Sequence, residues 1–230
     1  GGSAGDTAKV VILDTGVDKT HDMFPGNKIA SEACYSTTVA GQSTAVCTRG
    51  SVAAGSGVNC LHPTVNGCSH GTHVAGIVAG NMASPVLRGV APSSRLIAIQ
   101  VFSRFDSSAN CGSTPVPCVL SYTSDQLAGL QRVYALRNTF AIASVNMSLG
   151  GGQFFAPCDS TNAAMKSAID LLRSARIATA IASGNNGFNG SMSSPGCLSR
   201  AIAVGSTLDT ANTLSSFSNH SANVRLLAPG

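Results

Sequence analysis

The chain has 230 residues, of which 43% are hydrophobic and only 10% charged, and its net charge is +4. This composition excludes a disordered chain, and the length suits one large domain or two small ones. The Lys and Arg residues are scattered, so no basic cluster predicts nucleic-acid binding. No apolar run is long enough to cross a membrane, so no membrane partner is expected.

Short apolar runs alternate with longer segments of helical periodicity. The short runs predict buried strands over residues 9–13, 96–101, 141–147, 177–182 and 201–205. The periodic segments predict helices over residues 70–80, 123–136 and 162–175, with loops over 1–8 and 103–120 and loops with short strands over 30–69. Thr123 and Gln126 match a capping box. The alternation predicts βαβ units and an α/β fold with a parallel sheet.

Polar and glycine-rich groups directly follow three of the predicted strands. Asp14 ends the first strand, and the run Ser148-Leu149-Gly150-Gly151 follows the third. Ser183-Gly184-Asn185 follows the fourth, after Ala182. Parallel sheets bind ligands beyond the carboxyl ends of their strands, so this edge of the sheet is the predicted site.

Eight cysteines occur at loop-like positions, and none belongs to a C-x-x-C pair. This pattern favours disulfides in an oxidising compartment over zinc ribbons or thioredoxin-like chemistry. About a hundred connectivities are available, and free buried thiols in a cytosolic protein are the competing interpretation. We favour pairing of neighbours along the chain: Cys34 with Cys47, Cys60 with Cys68, Cys111 with Cys118, and Cys158 with Cys197.

The stretch from His70 to Gly80 begins with two histidines and continues in small apolar residues that allow close packing. Such packing would fix His70 at a helix start, where an imidazole that titrates near neutral pH can serve as a general base. A carboxylate such as Asp14 can orient the imidazole, and an amide such as that of Asn185 can stabilise an oxyanion.

Six motifs in chain order resemble those of the subtilisin-like serine proteases. The first four are Val11-Ile12-Leu13-Asp14-Thr15-Gly16, His70-Gly71-Thr72-His73-Val74-Ala75-Gly76, Ser148-Leu149-Gly150-Gly151 and Ser183-Gly184-Asn185-Asn186-Gly187. The last two are Ser216-Phe217-Ser218 and Leu227-Ala228-Pro229-Gly230. The resemblance implies a three-layer fold in which helices flank a mostly parallel sheet, and a secreted endopeptidase that acts through an acyl-enzyme.

The same resemblance implies roles for individual residues. Asp14 matches the triad carboxylate, His70 the general base and Asn185 the oxyanion donor. The segment that pairs with an extended substrate and the walls of the adjoining pocket are matched by Ser148, Leu149, Gly150, Gly151, Ala182, Ser183 and Gly184. The small pocket residues favour broad or hydrophobic specificity. Protein or peptide substrates are the expected partners, with the chain's own propeptide or a C-terminal segment as further candidates.

The nucleophilic serine of the resembled family has no match in this chain. Its Gly-Thr-Ser-Met motif would follow Gly230, so we expect a single peptidase domain over residues 1–230 that is truncated at both ends and inactive by itself. Ser191 and Ser193 lie in a superficially similar run, which we interpret as a loop. The alternative function is a noncatalytic peptide-binding pseudoprotease that lacks the serine.

Other chemistries fit the sequence less well. An aspartic protease would need a second loop like the one at Asp14, and the sequence has none. His70 and His73 could bind zinc, but no third ligand is evident, so His73 is predicted as a buried structural residue. Asp18 and His21 are expected to support the loop around Asp14. No cofactor is required, and structural calcium is an option near the turn at residues 81–84.

Overall fold

The computed structural model describes residues 8–58, 60, 65–211 and 213–230. The strands, β1 to β14 in chain order, are Lys9–Asp14, Ile29–Cys34, Ser43–Ala45, Asn81–Met82, Leu87–Arg88, Arg95–Gln100, Ser103–Phe105, Cys118–Leu120, Ile142–Met147, Gly151–Phe154, Ala178–Ala182, Met192–Ser194, Ile202–Thr207 and Leu226–Pro229. The helices, α1 to α4, are His70–Ala79, Ser108–Cys111, Thr123–Leu136 and Ala163–Ser174. Apart from its last residue, the predicted loop over 1–8 lies outside the described residues.

Seven of these strands form a sheet in the order β14-β13-β11-β9-β1-β6-β2. The pairings of β1 with β6, β2 with β6, β9 with β11, β11 with β13 and β13 with β14 are all parallel. Helices α1 and α3 pack against β1, and α4 packs against β11. The predicted α/β fold with a mostly parallel sheet and packed helices is therefore confirmed.

The chain divides into two compact units, Gly1–Ala143 and Ser144–Gly230. In the first unit, β1 and β6 supply all but one of the largest fully buried side chains, Ile12, Leu13, Leu96, Ile97 and Ile99, and α3 supplies the other, Leu130. A strand buried on both faces needs an unbroken apolar run, which is the pattern both segments carry. The prediction of a single peptidase domain stays a prediction.

The structure corrects three predictions in the first unit. The segment Ile29–Cys34, predicted as loop or short strand, is a six-residue strand of the large sheet. Its polar residue Glu32 is buried, because Lys19 Nζ and the Gly55 amide donate hydrogen bonds to Glu32 Oε2 at 2.9 and 2.7 Å. The predicted loop over 103–120 contains β7, α2 and β8.

The third correction concerns the predicted capping box. Helix α3 begins at Thr123, so Tyr122 is its N-cap and makes no capping side-chain hydrogen bond. The amides of Asp125 and Gln126 donate to the Tyr122 carbonyl. Asp125 is instead fully buried, where Arg49 Nε and Nη2 and Thr37 Oγ1 all donate to its Oδ1. The ion pair between Asp125 and Arg49 joins residues far apart in the chain, so a local sequence motif could not predict it.

The second unit follows the sequence pattern closely. Helix α4 buries the apolar face that was predicted for it, formed by Met165, Ala168, Ile169 and Leu172. Strands β9, β11 and β13 lie within one or two residues of their predicted bounds. The run around Ser193, predicted as a loop, contains β12, which pairs antiparallel with β10. A short strand of Ser and Met residues lacks the β-branched character that marks strands in a sequence.

All eight cysteines are paired. The disulfides join Cys34 to Cys47, Cys60 to Cys68, Cys111 to Cys118, and Cys158 to Cys197. The predicted pairing of neighbours is confirmed in full. Three disulfides lie in the first unit and one in the second.

Candidate active site

The first unit brings Asp14 and His70 into contact. Asp14 is the last residue of β1 and His70 the first of α1, so both side chains lie at element ends. The Asp14 Oδ1 atom is 2.7 Å from His70 Nδ1. Asp14 is fully buried, whereas 47% of the His70 side chain is exposed. A buried carboxylate therefore contacts Nδ1 of an imidazole that is about half exposed to solvent.

Thr15 connects the two elements that carry this pair, and the sequence analysis assigned it no role. Its hydroxyl donates to the Cys68 carbonyl at 3.1 Å and accepts from the Gly71 amide at 2.9 Å. Its own amide donates to Asp14 Oδ1 at 2.7 Å. A Cβ on Gly71 would lie 2.3 Å from the Gly16 carbonyl oxygen, so only glycine permits this approach. The end of β1 and the start of α1 are thus fastened together beside the pair.

The contact changes the acidity of His70. Its hydrogen bond to Asp14 raises the pKa of the imidazole above the ordinary value of 6.5, and burial opposes this shift. Asp14 Oδ2 is buried without a hydrogen-bond partner among the described residues. The neighbouring carboxylate favours the imidazolium, which is the form that a general base reaches after it takes a proton.

The second histidine of the motif does not have its predicted position. His73 is exposed, so the prediction of a buried structural residue is wrong. Thr72, its buried neighbour, accepts a hydrogen bond from the Asp18 amide at 2.9 Å. Helix geometry places residues 70 and 73 on one side of α1, and that side faces solvent. Asp18 Oδ1 accepts from the Thr20 amide and hydroxyl, which lowers the pKa of its carboxyl group.

The second unit holds the remaining predicted site residues. Asn185 lies in the loop that follows β11, and it is exposed. It borders a cavity of about 240 Å³, together with Ser148, Ala182, Ser183 and Gly184. The polar groups at the ends of β9 and β11 thus meet as the strand order predicts.

The other predicted substrate-binding residues lie beside this cavity's lining segments. Leu149 is buried, and Gly150 approaches β12 so closely that a Cβ would lie 3.1 Å from Ser193 Cβ. Gly151 begins β10 and pairs with Ser194. None of these three residues lines the cavity itself. Their substrate-binding roles stay predictions.

Asn219 holds the Asn185 loop, and the sequence analysis did not identify it. Its side chain is fully buried, and its Oδ1 accepts from the amides of Asn186 and Phe188 at 2.9 and 3.0 Å. Its Nδ2 donates to the Ser183 carbonyl at 3.1 Å. The nearby Ser216-Phe217-Ser218 motif was the only signal that pointed to this region.

Comparison with known proteins identifies the family of this chain. The Subtilase family model matches residues 5–230. This chain belongs to the subtilase family. It is 32% identical to "Subtilisin" of Bacillus pumilus and 31% identical to "Subtilisin E" of Bacillus subtilis, with all of this chain covered in both cases. A solved cold adapted subtilisin-like serine proteinase, 24% identical, shares the fold with a TM-score of 0.63.

The subtilase chain described here corresponds to only part of each relative. It spans 66% of the Bacillus pumilus protein, 48% of the Bacillus subtilis protein and 66% of the solved proteinase. The match to the solved proteinase includes the whole of this chain.

Ser191 and Ser193, in the run that resembles the nucleophile motif, are not available as nucleophiles. Ser191 is fully buried, and its Oγ accepts a hydrogen bond from Gln153 Nε2 at 2.9 Å. Ser193 is 1% exposed, and its Oγ donates to the Gly152 carbonyl and accepts from Asn219 Nδ2. A nucleophilic hydroxyl must reach both its base and the substrate, which buried and bonded serines cannot do.

The described residues contain no cluster of three or more His, Cys, Asp or Glu side chains that could hold a metal ion. The turn considered for calcium, at residues 81–84, begins in the small hairpin of β4 and β5, where Asn81 pairs with Arg88. Structural calcium stays a prediction.

Proposed function

We propose that this chain is the part of a secreted serine endopeptidase that carries the general base and the oxyanion donor. The contact of 2.7 Å between Asp14 Oδ1 and His70 Nδ1 carries this proposal. Membership of the subtilase family supports it, because subtilisins of that family resemble this chain over its whole length. The nucleophile in this proposal is a serine beyond residue 230.

The proposed chemistry is acyl transfer in two stages. The serine attacks the peptide carbonyl while His70 Nε2 accepts its proton, and the hydrogen bond to Asp14 stabilises the resulting imidazolium. The Asn185 amide donates to the oxyanion of the tetrahedral intermediate. His70 then gives the proton to the leaving amine as the peptide C–N bond breaks. In the second stage His70 takes a proton from the water that attacks the acyl-enzyme and returns it to the serine oxygen as the ester bond breaks.

The proposed substrates are proteins or peptides in extended conformation. Ser148, Leu149 and Gly150 lie outside the strands, between β9 and β10, where their backbone could pair with a substrate backbone. Gly151, Ala182, Ser183 and Gly184 would form the walls of the pocket for the residue before the scissile bond. Because these residues are small, a broad or hydrophobic preference is expected.

Extracellular action fits the cysteine chemistry. Four disulfides with no free thiol among the described residues are typical of oxidising compartments, because cytosolic reductants keep most thiols free. No helix in the described part of the chain has the length and apolar character needed to span a membrane.

The test uses the full-length protein and a chromogenic peptide amide. Replacement of His70 by Ala should reduce kcat by about 10⁶-fold, the scale set by loss of a triad base in serine proteases. His73→Ala is the matched control, because His73 is exposed on the same helix three residues away, and it should change kcat by less than about twofold.

A second measurement identifies the nucleophile. A serine-directed acylating reagent should label one serine beyond residue 230 in the wild type, and peptide mapping by mass spectrometry would locate the adduct. Binding of peptides without hydrolysis or labelling would contradict the proposal and favour the noncatalytic pseudoprotease. Full activity in the His70→Ala variant would contradict it as well.

A further inference from the structure

The loop that carries Asn185 offers its side chain no support of its own. Asn185 is exposed, and its side chain makes no hydrogen bond within the part of the chain that the structure describes. A side-chain donor stabilises an oxyanion only if it is aimed before the charge develops. In this loop, the direction of the donor must therefore come from the backbone on either side of it.

One buried residue holds that backbone on both sides of Asn185. Before Asn185, Asn219 Nδ2 donates to the Ser183 carbonyl, and the Asn219 amide donates to the Gly184 carbonyl at 2.9 Å. After Asn185, Asn219 Oδ1 accepts from the amides of Asn186 and Phe188. A single carboxamide thus satisfies groups from both halves of the turn, because three of its hydrogen bonds each hold a different peptide unit.

The conformation of Gly184 is matched to this carboxamide. Its φ of +111° lies in the region that side chains rarely adopt, and a Cβ there would be 2.2 Å from Asn219 Nδ2. The amide occupies the space that a larger residue would need. It also donates to Ser193 Oγ at 3.2 Å, so β12 supports it from the other side. The loop that carries Asn185 and the Asn219 carboxamide are therefore closely packed against each other.

We infer that Asn219 is a positioning residue for Asn185: it holds the loop so that the oxyanion donor is aimed before substrate binds. This inference rests on the proposed function. It assigns Asn219 no contact with substrate, and its effect passes through the backbone of residues 183–188. Loss of this support should misplace the donor and reduce transition-state stabilisation while ground-state binding changes little.

The experiment measures kcat and KM of the full-length protein, with kcat normalised to active sites titrated by an acylating reagent. Asn219→Ala should lower the normalised kcat by about 10- to 100-fold and change KM by less than about threefold. Asn189→Ala is the matched control, since Asn189 is exposed in the same connection between β11 and β12 but makes no hydrogen bond to Asn219, and it should leave both constants within about twofold.

A double-mutant cycle separates positioning from a general structural role. If Asn219 acts through Asn185, the variant with both asparagines replaced by alanine should equal Asn185→Ala within about twofold. If Asn219 only maintains the fold, the two losses should multiply, or the normalised kcat should stay at the wild-type value. Either of these results would overturn the inference.

Asn219→Asp gives a second reading if the alanine variant does not fold. It keeps the shape and the Oδ1 acceptor but replaces the Nδ2 donor by an anionic oxygen, which repels the Ser183 carbonyl and a nearby oxyanion, so a decrease in normalised kcat at least as large as that of the alanine variant is expected. An unchanged kcat would again overturn the inference. If Asn185→Ala itself retains the wild-type kcat, the proposed oxyanion role is wrong, and the inference about Asn219 is wrong with it. If Asn185→Ala loses much of its kcat while Asn219→Ala keeps the wild-type value, only the inference about Asn219 is refuted.

Discussion

In the first compact unit a carboxylate contacts the His70 side chain, whereas in the second unit neutral hydrogen bonds hold the backbone on either side of Asn185. Asp14 contacts the imidazole directly at 2.7 Å. Asn219 never contacts the Asn185 side chain with a hydrogen bond, and it bonds instead to the peptide groups before and after it. In the proposed mechanism, the general base is thus positioned through its side chain, and the oxyanion donor through the main chain of its loop.

This difference has a chemical reason. A general base must become charged during the reaction, so a neighbouring carboxylate both orients it and stabilises its charged form. An oxyanion donor must stay neutral and aimed, and a nearby carboxylate would repel the charge that it serves. The first arrangement is therefore sensitive to pH, whereas the second should not be.

Among the changes that test this difference, the largest effect is expected from removing the charge at Asp14. Asp14→Asn should lower kcat by about 10⁴-fold, because the amide can hold the wrong tautomer of His70 and no longer stabilises the imidazolium. It also removes the cause that raises the pKa of His70, so the acidic limb of kcat/KM against pH should move to lower pH. A limb that stays in place would contradict the charge-based half of the comparison.

Replacement of the neutral donor should have a smaller effect with a different signature. Asn185→Ala is expected to lower kcat by about 10²- to 10³-fold, because one oxyanion donor is lost. The pH profile should keep its shape, since the change removes no charge near His70. Profiles recorded between pH 5 and 10 on the same substrate would check this, and a shifted acidic limb would show that the two groups are coupled.

The two units also differ in covalent cross-linking. The one disulfide of the second unit, Cys158–Cys197, spans 39 residues, whereas Cys111–Cys118 of the first spans 7. By loop-closure entropy, replacement of both cysteines by alanine should cost about 4 kcal/mol for the long loop and about 2 kcal/mol for the short one. Urea unfolding of each double variant would test this order. A larger loss from the short loop would contradict the entropic account.

The smallest effects come from two buried threonines, one in each unit. Thr15→Val should destabilise by about 1–3 kcal/mol, because it leaves the Gly71 amide and the Cys68 carbonyl without their partner. Thr179→Val has the same shape change at a buried hydroxyl without a partner among the described residues, so it should be neutral or stabilise by up to about 1 kcal/mol. Equal losses at both positions would refute this reasoning.

Much of the fold and part of the site followed from the sequence. The unbroken apolar runs around Ile12 and Ile97 predicted strands buried on both faces, because an interior strand has no polar face to mark it. The alternation of such runs with helices predicted the parallel sheet, and the positions after β9 and β11 at which Ser148 and Asn185 border one cavity. The favoured pairing of cysteines that neighbour each other along the chain matched all four disulfides.

Only the tertiary structure decided which polar groups support the site. Thr15 and Asn219 are ordinary polar residues in the sequence, and their importance arises because folding buries each one against backbone groups 15 or more residues away. Tertiary contacts also decided that His73 is exposed, that Glu32 is buried and that Thr123 and Gln126 form no capping box. Local pattern determines which segments become strands and helices, whereas the satisfaction of buried polar groups depends on contacts between residues far apart in the chain.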